Sequence, residues 1–321
     1  MRAHAAIIAP DILCGRGLNR FAWAAGTFKV LAEPHQKCFI SHAQRDAQYL
    51  VVFMESAKNI KGMQGETVVI KIGSLGESSF GNAYVAGVLK DVQFLRRLEL
   101  HPVLVHGGGK EVTEVMKSRG MRPEFYRGSR ITDEAALQVL MEVMLRIGGD
   151  VVDCIGEDAM QIAGYRGLLR VAPADPIYGY VGNVIEVDAG LLHSIIGNGK
   201  TPVITPLGFN DTQVYNVNGD MAASAVAVAL KSSRLVFVTG IDGVMEEQNL
   251  LREINGNKFG EMLRSNRING GMEPKVSAGI LAANNGVRKV SIINGTREHA
   301  LLSELMSEEG TGTNVVAKLH S

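Results

Sequence analysis

Thr67-Val68-Val69-Ile70-Lys71-Ile72-Gly73-Ser74 and Pro102-Val103-Leu104-Val105-His106-Gly107-Gly108-Gly109-Lys110 are two versions of one pattern. Each is a β-branched apolar run that breaks into glycine and leads into residues at helical spacing. These are Val85, Val88, Leu89, Val92 and Leu95 after the first run, and Val112, Val115 and Met116 after the second. An apolar run of this length reads as a parallel strand buried on both faces. Glycine at its end delivers a loop of bare backbone N–H groups to the carboxyl edge of the sheet, and a following helix N-terminus adds its dipole. Such a loop cradles anions, and a lysine at its mouth points to phosphate.

The alternation of strand, glycine turn and helix continues outward from this pair. Residues 201–206 and 235–239 read as strands, the second ending in Gly240-Ile241-Asp242-Gly243. Residues 138–146 carry Val139, Leu140, Val143 and Met144 on one helical face, and 221–230 form an Ala/Val helix apolar nearly all round, hence buried. A helix from Lys275, a strand at 289–294 and a helix from Glu298 follow. Residues 164–182, rich in Gly, Pro and Tyr, read as a β-hairpin excursion, and 246–270 as polar and irregular. The expected fold is α/β: a three-layer α/β/α sandwich with an open, mainly parallel central sheet. No Pro/Gly/Ser-rich linker interrupts it, so any two lobes share that sheet.

Composition narrows the class. The chain has 321 residues and 46% hydrophobic content, enough for one large domain or two ordinary ones. Its 33 basic and 33 acidic residues cancel, so neither nucleic acid nor an anionic membrane is implied as a partner. Cys14, Cys38 and Cys154 are odd in number and widely spaced, which argues for a reducing compartment and against a disulfide framework. No apolar run approaches the roughly 20 residues of a membrane-spanning helix, and the protein reads as soluble and cytoplasmic. Residues 1–45 differ from the rest, with scattered basic residues, few acids and no period. They read as a disordered arm, a mis-assigned start, or a transit peptide that would direct organellar import. Residues 46–65 read as a weakly helical arm.

Familiar catalytic motifs are missing. Gly199-Lys200-Thr201 lacks the leading glycine of a Walker A loop and precedes a strand; there is no GxSxG and no HExxH. His106 reads as a strand-end residue bonded to backbone rather than as a catalyst. Lys71 is the first candidate, because a lysine ending a buried strand needs a charged partner. Lys275 is the second, at the start of a helix after the glycine turn Gly270-Gly271-Met272. Asn216-Val217-Asn218-Gly219-Asp220 places alternate Asn residues on one strand face and an Asp at a helix start, where it can cap the helix and hold lysines. Arg130, in Gly128-Ser129-Arg130-Ile131-Thr132-Asp133, precedes a helix capped by Thr132 or Asp133 and can grip a carboxylate with its two-pronged guanidinium.

Taken together, these segments resemble the amino-acid kinase family, over roughly residues 58–316. The resemblance is carried by VVIKIGS, VLVHGGGKEV, GSRITD, TPVITPLG…YNVNGDMAASAVAVAL, VFVTGIDGV, INGGMEPKV and INGTREHALLSEL with a closing GTGT, in the family's order. GSRITD and NVNGD point to the branch that phosphorylates N-acetylglutamate rather than to the uridylate, carbamate or aspartate kinases. The resemblance implies ATP with Mg²⁺ as cosubstrate and cofactor, the metal held through the ATP phosphates rather than by the protein. It implies transfer of a phosphoryl group to the γ-carboxylate of N-acetyl-L-glutamate, on the way to arginine. Lys71 and Lys275 would neutralise the moving phosphoryl group and Asp220 would orient both lysines. The backbone of Gly73, Ser74, Gly107 and Gly108 would hold phosphate and acceptor oxygens, with Arg130 and Asn216 on the acceptor. Thr239, Gly240, Asp242, Gly243, Gly271 and Met272 would join Lys71 and Lys275 around the nucleotide.

An acceptor-binding lobe at 66–225 carrying a homodimer interface, and a nucleotide-binding lobe at 226–321, are implied as well. So are possible homohexamers and inhibition by arginine, with His299, Gly310 and Gly312 as effector residues. The chain departs from the family's usual pattern at Ser74, where glycine is common, at Gly219 before Asp220, where alanine is more usual, and after Thr313. A kinase for a carrier-linked or N-acetylated aminoadipate, and a catalytically weak regulator that binds nucleotide or arginine, are the competing readings. The chemistry fits the residues in any case: a carboxylate acceptor is already an anion, so transfer needs positioning and charge neutralisation, not a general base.

Overall fold

The computed structural model describes residues 54, 56, 58–73, 83–126, 128–268 and 270–317. Residues 1–45, positions 46–53, 55 and 57 of the N-terminal arm, and Ser74 lie outside the described residues. An eight-stranded sheet forms the centre. In chain order its strands are β1 (Thr67–Ile72), β2 (His101–His106), β3 (Ala159–Ala163), β4 (Thr201–Thr205), β5 (Arg234–Thr239), β6 (Glu253–Ile254), β7 (Lys289–Asn294) and β8 (Thr313–Val315). Their spatial order is β6-β8-β7-β5-β1-β2-β4-β3, parallel throughout except where β7 meets β8. The helices are α1 (Ala83–Arg97), α2 (Gly109–Ser118), α3 (Glu134–Ile155), α4 (Ala189–Gly197), α5 (Gly219–Ala229), α6 (Gly256–Arg264), α7 (Met272–Asn284) and α8 (Ala300–Met306).

The period of two along β1 sorts the layers. Val69 joins a core cluster with α5 and α7 residues such as Ala222, Val226 and Val276. Val68, Ile70 and Ile72 point the other way, into a cluster with Val88 and Val92 of α1 and Leu301 of α8. Both faces of the strand are covered, which is why its sequence shows no polar alternation. Each fully buried Val or Ile here stabilises the fold by roughly 1.5–3 kcal/mol. The same parity puts Lys71 on the Val69 face, at the carboxyl end of β1 and beneath the start of α5. The first half of the chain extends the sheet from β1 in one direction and the second half, beginning with β5, in the other. The crevice at the strand ends beside β1 is therefore a topological switch point, where open α/β sheets bind ligands.

Several sequence expectations need correction or extension. The helix expected at 138–146 runs from Glu134 to Ile155, with Asp133 as its cap, accepting from the Ala136 N–H at 2.7 Å. The hairpin excursion pairs Leu169–Pro173 with Val181–Val187, then closes with Leu207–Phe209 and Val214–Val217 into a small four-stranded barrel. The stretch 246–270, read as irregular, contains β6 and α6. The apolar stripe of α6 is only Phe259 and Met262, too sparse to show a period. Asp220 does not cap α5; the Asn218 side chain does, accepting from the Asp220 and Met221 N–H groups at 2.8 and 3.1 Å.

Candidate active site

Relief from the capping role frees Asp220 for the lysines. Its carboxylate is 4% exposed and sits at the base of a cleft of about 1070 Å³ lined by the ends of β1, β2 and β5. Lys71 Nζ lies 2.9 Å from Oδ1 and Lys275 Nζ 3.1 Å from Oδ2; Lys275 also donates to the Gly271 carbonyl at 3.2 Å. The start of α5 lies directly against the Lys71 stem: a Cβ at Gly219 would stand in ordinary contact, 3.4 Å from its Cε. Burial alone would raise the Asp220 pKa, but the charges and hydrogen bonds of the two ammonium groups outweigh it and hold the carboxyl below its ordinary value. Lys275 is shifted below the usual lysine value, by burial first and then by the charge of Lys71, against the pull of Asp220. Two cations against one anion leave a buried net positive charge aimed into the cleft, which favours an anionic ligand.

On one side stand the glycine loop and Arg130. Gly108 packs so closely over α3 that a Cβ would meet Met144 Sδ at 2.5 Å and Ile147 Cδ1 at 2.6 Å. This brings the start of α2, with the positive end of its dipole, to the cleft. Gly107 differs from the expectation: its N–H is given to the Ile72 carbonyl at 2.6 Å, so it is not available as an oxyanion donor. Arg130 is 8% exposed, donating to the Gly109 carbonyl at 2.8 Å and Thr113 Oγ1 at 2.7 Å, with its guanidinium 4.7 Å from the Phe125 ring centre. Burial lowers its pKa, yet a guanidinium keeps its charge. The partners named here are neutral, so the charge is available to a carboxylate. Asn216 lines the same side and donates to Thr132 Oγ1 at 3.2 Å.

On the other side Thr239 ends β5 and Gly240 follows it, and Gly243, Gly271 and Met272 also line the cleft. Gly73, at the end of β1, lines it too, and a Cβ there would lie 3.5 Å from Lys71 Nζ. Asp242 is not in the lining: it accepts from Asn294 Nδ2 at 2.8 Å and pairs with Arg297 at 2.8 Å. Ile241, 52% exposed, lines the cleft within the expected segment Thr239–Gly243, whereas Met245, Arg267 and Ile268 in the lining were missed, no motif marking them. Thr313 was missed as well. Thr313 Oγ1 accepts from the Val244 N–H at 2.9 Å and donates to the Leu251 carbonyl at 2.6 Å. A Cβ at Gly243, whose φ is 144°, would come 2.5 Å from that hydroxyl. The closing GTGT thus braces the loop after β5.

The proposed effector residues lie outside this cleft lining. His299 Nδ1 is 2.7 Å from Asp91 Oδ1, joining the turn before α8 to α1. Gly310 and Gly312 lie in the tail, where Glu304 accepts from the Thr311 N–H and Gly312 passes against the Ile292 carbonyl. Among the described residues there is no group of three metal-ligating His, Cys, Asp or Glu side chains, and no helix long and apolar enough to cross a membrane.

The sequence profile of the amino acid kinase family matches residues 66–294. Acetylglutamate kinase from Kosmotoga olearia is 37% identical over 272 residues, covering 82% of this chain and 96% of that one. Acetylglutamate kinase from Methanocaldococcus jannaschii is 35% identical over 286 residues, covering 82% and 95%. Among solved structures, N-acetylglutamate synthase from Neisseria gonorrhoeae, complexed with coenzyme A and N-acetyl-glutamate, superposes with a TM-score of 0.74 at 24% identity, over 84% of this chain and 64% of that one. Carbamate kinase from Giardia lamblia bound to AMP-PNP gives 0.58 at 16% identity, over 79% and 99%. These two share the fold. The chain belongs to the amino acid kinase family.

Proposed function

We propose that the cleft transfers the γ-phosphoryl group of ATP to the side-chain carboxylate of N-acetyl-L-glutamate, a step of arginine synthesis. The observation that carries the reading is the buried Lys71–Asp220–Lys275 triad at a glycine-lined switch point, with the charge of Arg130 on one side. The relatives named acetylglutamate kinase support the acceptor.

The step needs no base. A carboxylate oxygen of the acceptor attacks phosphorus in line, the bond from the γ-phosphorus to the bridging oxygen breaks, and ADP leaves with that oxygen. Charge spreads over the three equatorial oxygens as this happens. Lys71 and Lys275 meet that charge, and Asp220 keeps both ammonium groups from spreading apart. Arg130 holds the α-carboxylate end of the acceptor and Asn216 its acetamido group. Magnesium suits this donor set as a companion of the nucleotide, bound by phosphate and water oxygens, since Asp220 is committed to the lysines. When bound, it would neutralise part of the charge on the nucleotide phosphates.

The division into an acceptor lobe at 66–225 and a nucleotide lobe at 226–321, a dimer built on the first, and inhibition through the His299–Gly312 region belong to the same proposal. Purified protein with Mg-ATP and hydroxylamine tests it. A hydroxamate formed with N-acetylglutamate and not with N-acetylaminoadipate or glutamate is expected. A product from N-acetylaminoadipate alone would move the assignment to that acceptor. Unchanged turnover in millimolar arginine would remove the inhibition.

A further inference from the structure

Behind the glycine loop runs a chain of hydrogen bonds with a single direction. Gln161, on the edge strand β3, gives one amide hydrogen to the Leu145 carbonyl of α3 at 2.8 Å and the other to Thr205 Oγ1 at 3.2 Å. Thr205 is wholly buried at the end of β4, with its Oγ1 2.9 Å from His106 Nε2. His106 Nδ1 lies 3.0 Å from the Gly107 carbonyl oxygen. A carbonyl only accepts, so Nδ1 carries the ring hydrogen. Burial lowers the His106 pKa to about 4, with the charge of Lys71 assisting and the Gly107 bond opposing, so the ring is neutral and Nε2 accepts. Thr205 therefore donates, and the polarity of every bond is set.

This matters because of what a trans peptide does. Among the described residues there is no cis peptide bond, so the Gly108 N–H points opposite to the Gly107 C=O across one rigid plane. His106 is 1% exposed and lies behind the loop, while Gly107 and Gly108 line the cleft. A carbonyl held back toward the imidazole turns the next N–H forward. We propose that His106 is a positioning residue for phosphoryl transfer. Anchored by Gln161 and Thr205, it clamps the Gly107 carbonyl inward and so aims the Gly108 N–H at an oxygen of the transferring group. This rests on the reading of the cleft as a phosphoryl-transfer site.

Two variants separate aiming from mere filling. His106→Asn places an amide N–H near the position of Nδ1 and keeps a donor for Gly107, whereas His106→Gln reaches toward Thr205 and leaves the Gly107 carbonyl unclamped. Both lose the ring, so melting temperatures should fall alike. Since losing one preorganised oxyanion donor costs about 10²–10³ in kcat, misaiming it in the Gln variant should cost roughly 30- to 100-fold, against less than about 3-fold for Asn. KM for both substrates should stay within about 2-fold. A readout free of the acceptor is the Gly108 amide resonance of isotope-labelled protein on adding ADP, magnesium and aluminium fluoride. It should move in the wild type and the Asn variant and stay still in the Gln variant. Equal kcat losses in the two variants, or a Gly108 amide that responds in both, would overturn the proposal. If the wild type gives no hydroxamate, the acceptor assignment fails while the amide readout still decides the role of His106. Should the Gln variant not fold, Thr205→Val removes the donor to Nε2 together with the acceptor of the Gln161 amide and leaves the ring in place; an unchanged kcat there would sink the idea, and a several-fold loss at constant KM supports it.

Discussion

On the Arg130 side of the cleft, each group that faces a ligand is held from behind by packed structure. Arg130 is buried against α2, and Gly108 rests on Met144 and Ile147 of α3. On the Thr239 side the lining joins the end of β5 to the start of α7 through more exposed residues, with Ile241 52% and Met245 37% exposed, and a hydroxyl from the far end of the chain, Thr313, braces the loop after β5. Under the proposed function the first wall, with Arg130 and Asn216, takes one small, strictly oriented acceptor. The second, with Ile241, Met245, Ile268 and Met272, takes the broad planar base entering from solvent. Between them stands a triad that neither wall could replace.

The sharpest way to break this picture is at the triad. Asp220→Ala leaves two buried ammonium groups without an anion, which costs about 3–5 kcal/mol, or a melting temperature roughly 10 °C lower. Its kcat should fall at least about 10³-fold, since both lysines lose their aim. Turnover within 10-fold of wild type would mean that the lysines are placed by something else. Arg130→Lys tests the first wall. Loss of the two-pronged geometry should raise the acceptor KM by about 10- to 100-fold and leave the ATP KM alone. If the ATP KM moves instead, the walls have been exchanged. Thr313→Val tests the second wall: the Val244 N–H loses its acceptor at about 1–2 kcal/mol, and the ATP KM should rise about 3- to 10-fold with acceptor KM constant. The smallest effect concerns a joint outside both walls. The hydrogen bond and charge of Asp91 raise the His299 pKa above its ordinary 6.5. A raised folded value means that the contact stabilises fully below pH 6.5 and fades as pH climbs through the folded pKa. The melting-temperature gap between wild type and His299→Ala should therefore be widest near pH 6 and close toward pH 9. A gap independent of pH would make the contact purely one of packing.

How far the residues alone disclosed this is uneven for physical reasons. β1, β2, β4 and β5 are apolar runs buried on both faces, and the parallel sheet follows from them almost directly. Lys71 was visible because a lysine ending a buried strand demands a counter-charge, and Lys275 because a glycine turn delivers it to the start of a helix. The partner of both, Asp220, was legible as a holder of lysines but not as free of capping duty, because Asn218 and Asp220 are equally good caps and only backbone geometry chooses between them. Gly107 read as an oxyanion donor, since nothing local reveals that its N–H is given to the neighbouring strand at Ile72. Asp242 was expected at the nucleotide only through the family resemblance, but Asn294 and Arg297 claim it from 52 and 55 positions away, and periodicity carries no such information. Thr313 was hidden for the same reason.

The triad also carries a clock. Lys71 belongs to the first strand of the sheet, and the carboxylate it needs comes from α5, beyond β2, α3 and a whole barrel of intervening chain. Lys275 arrives a further 55 residues on. Closing such long loops is slow, and the reward comes only when the last segment docks. A nascent chain on the ribosome thus carries β1 with one edge waiting for β5 and a lysine waiting for its anion. Recovery of phosphoryl transfer after dilution from denaturant will trail the recovery of helix, and that lag measures the time the two halves of the sheet take to find each other.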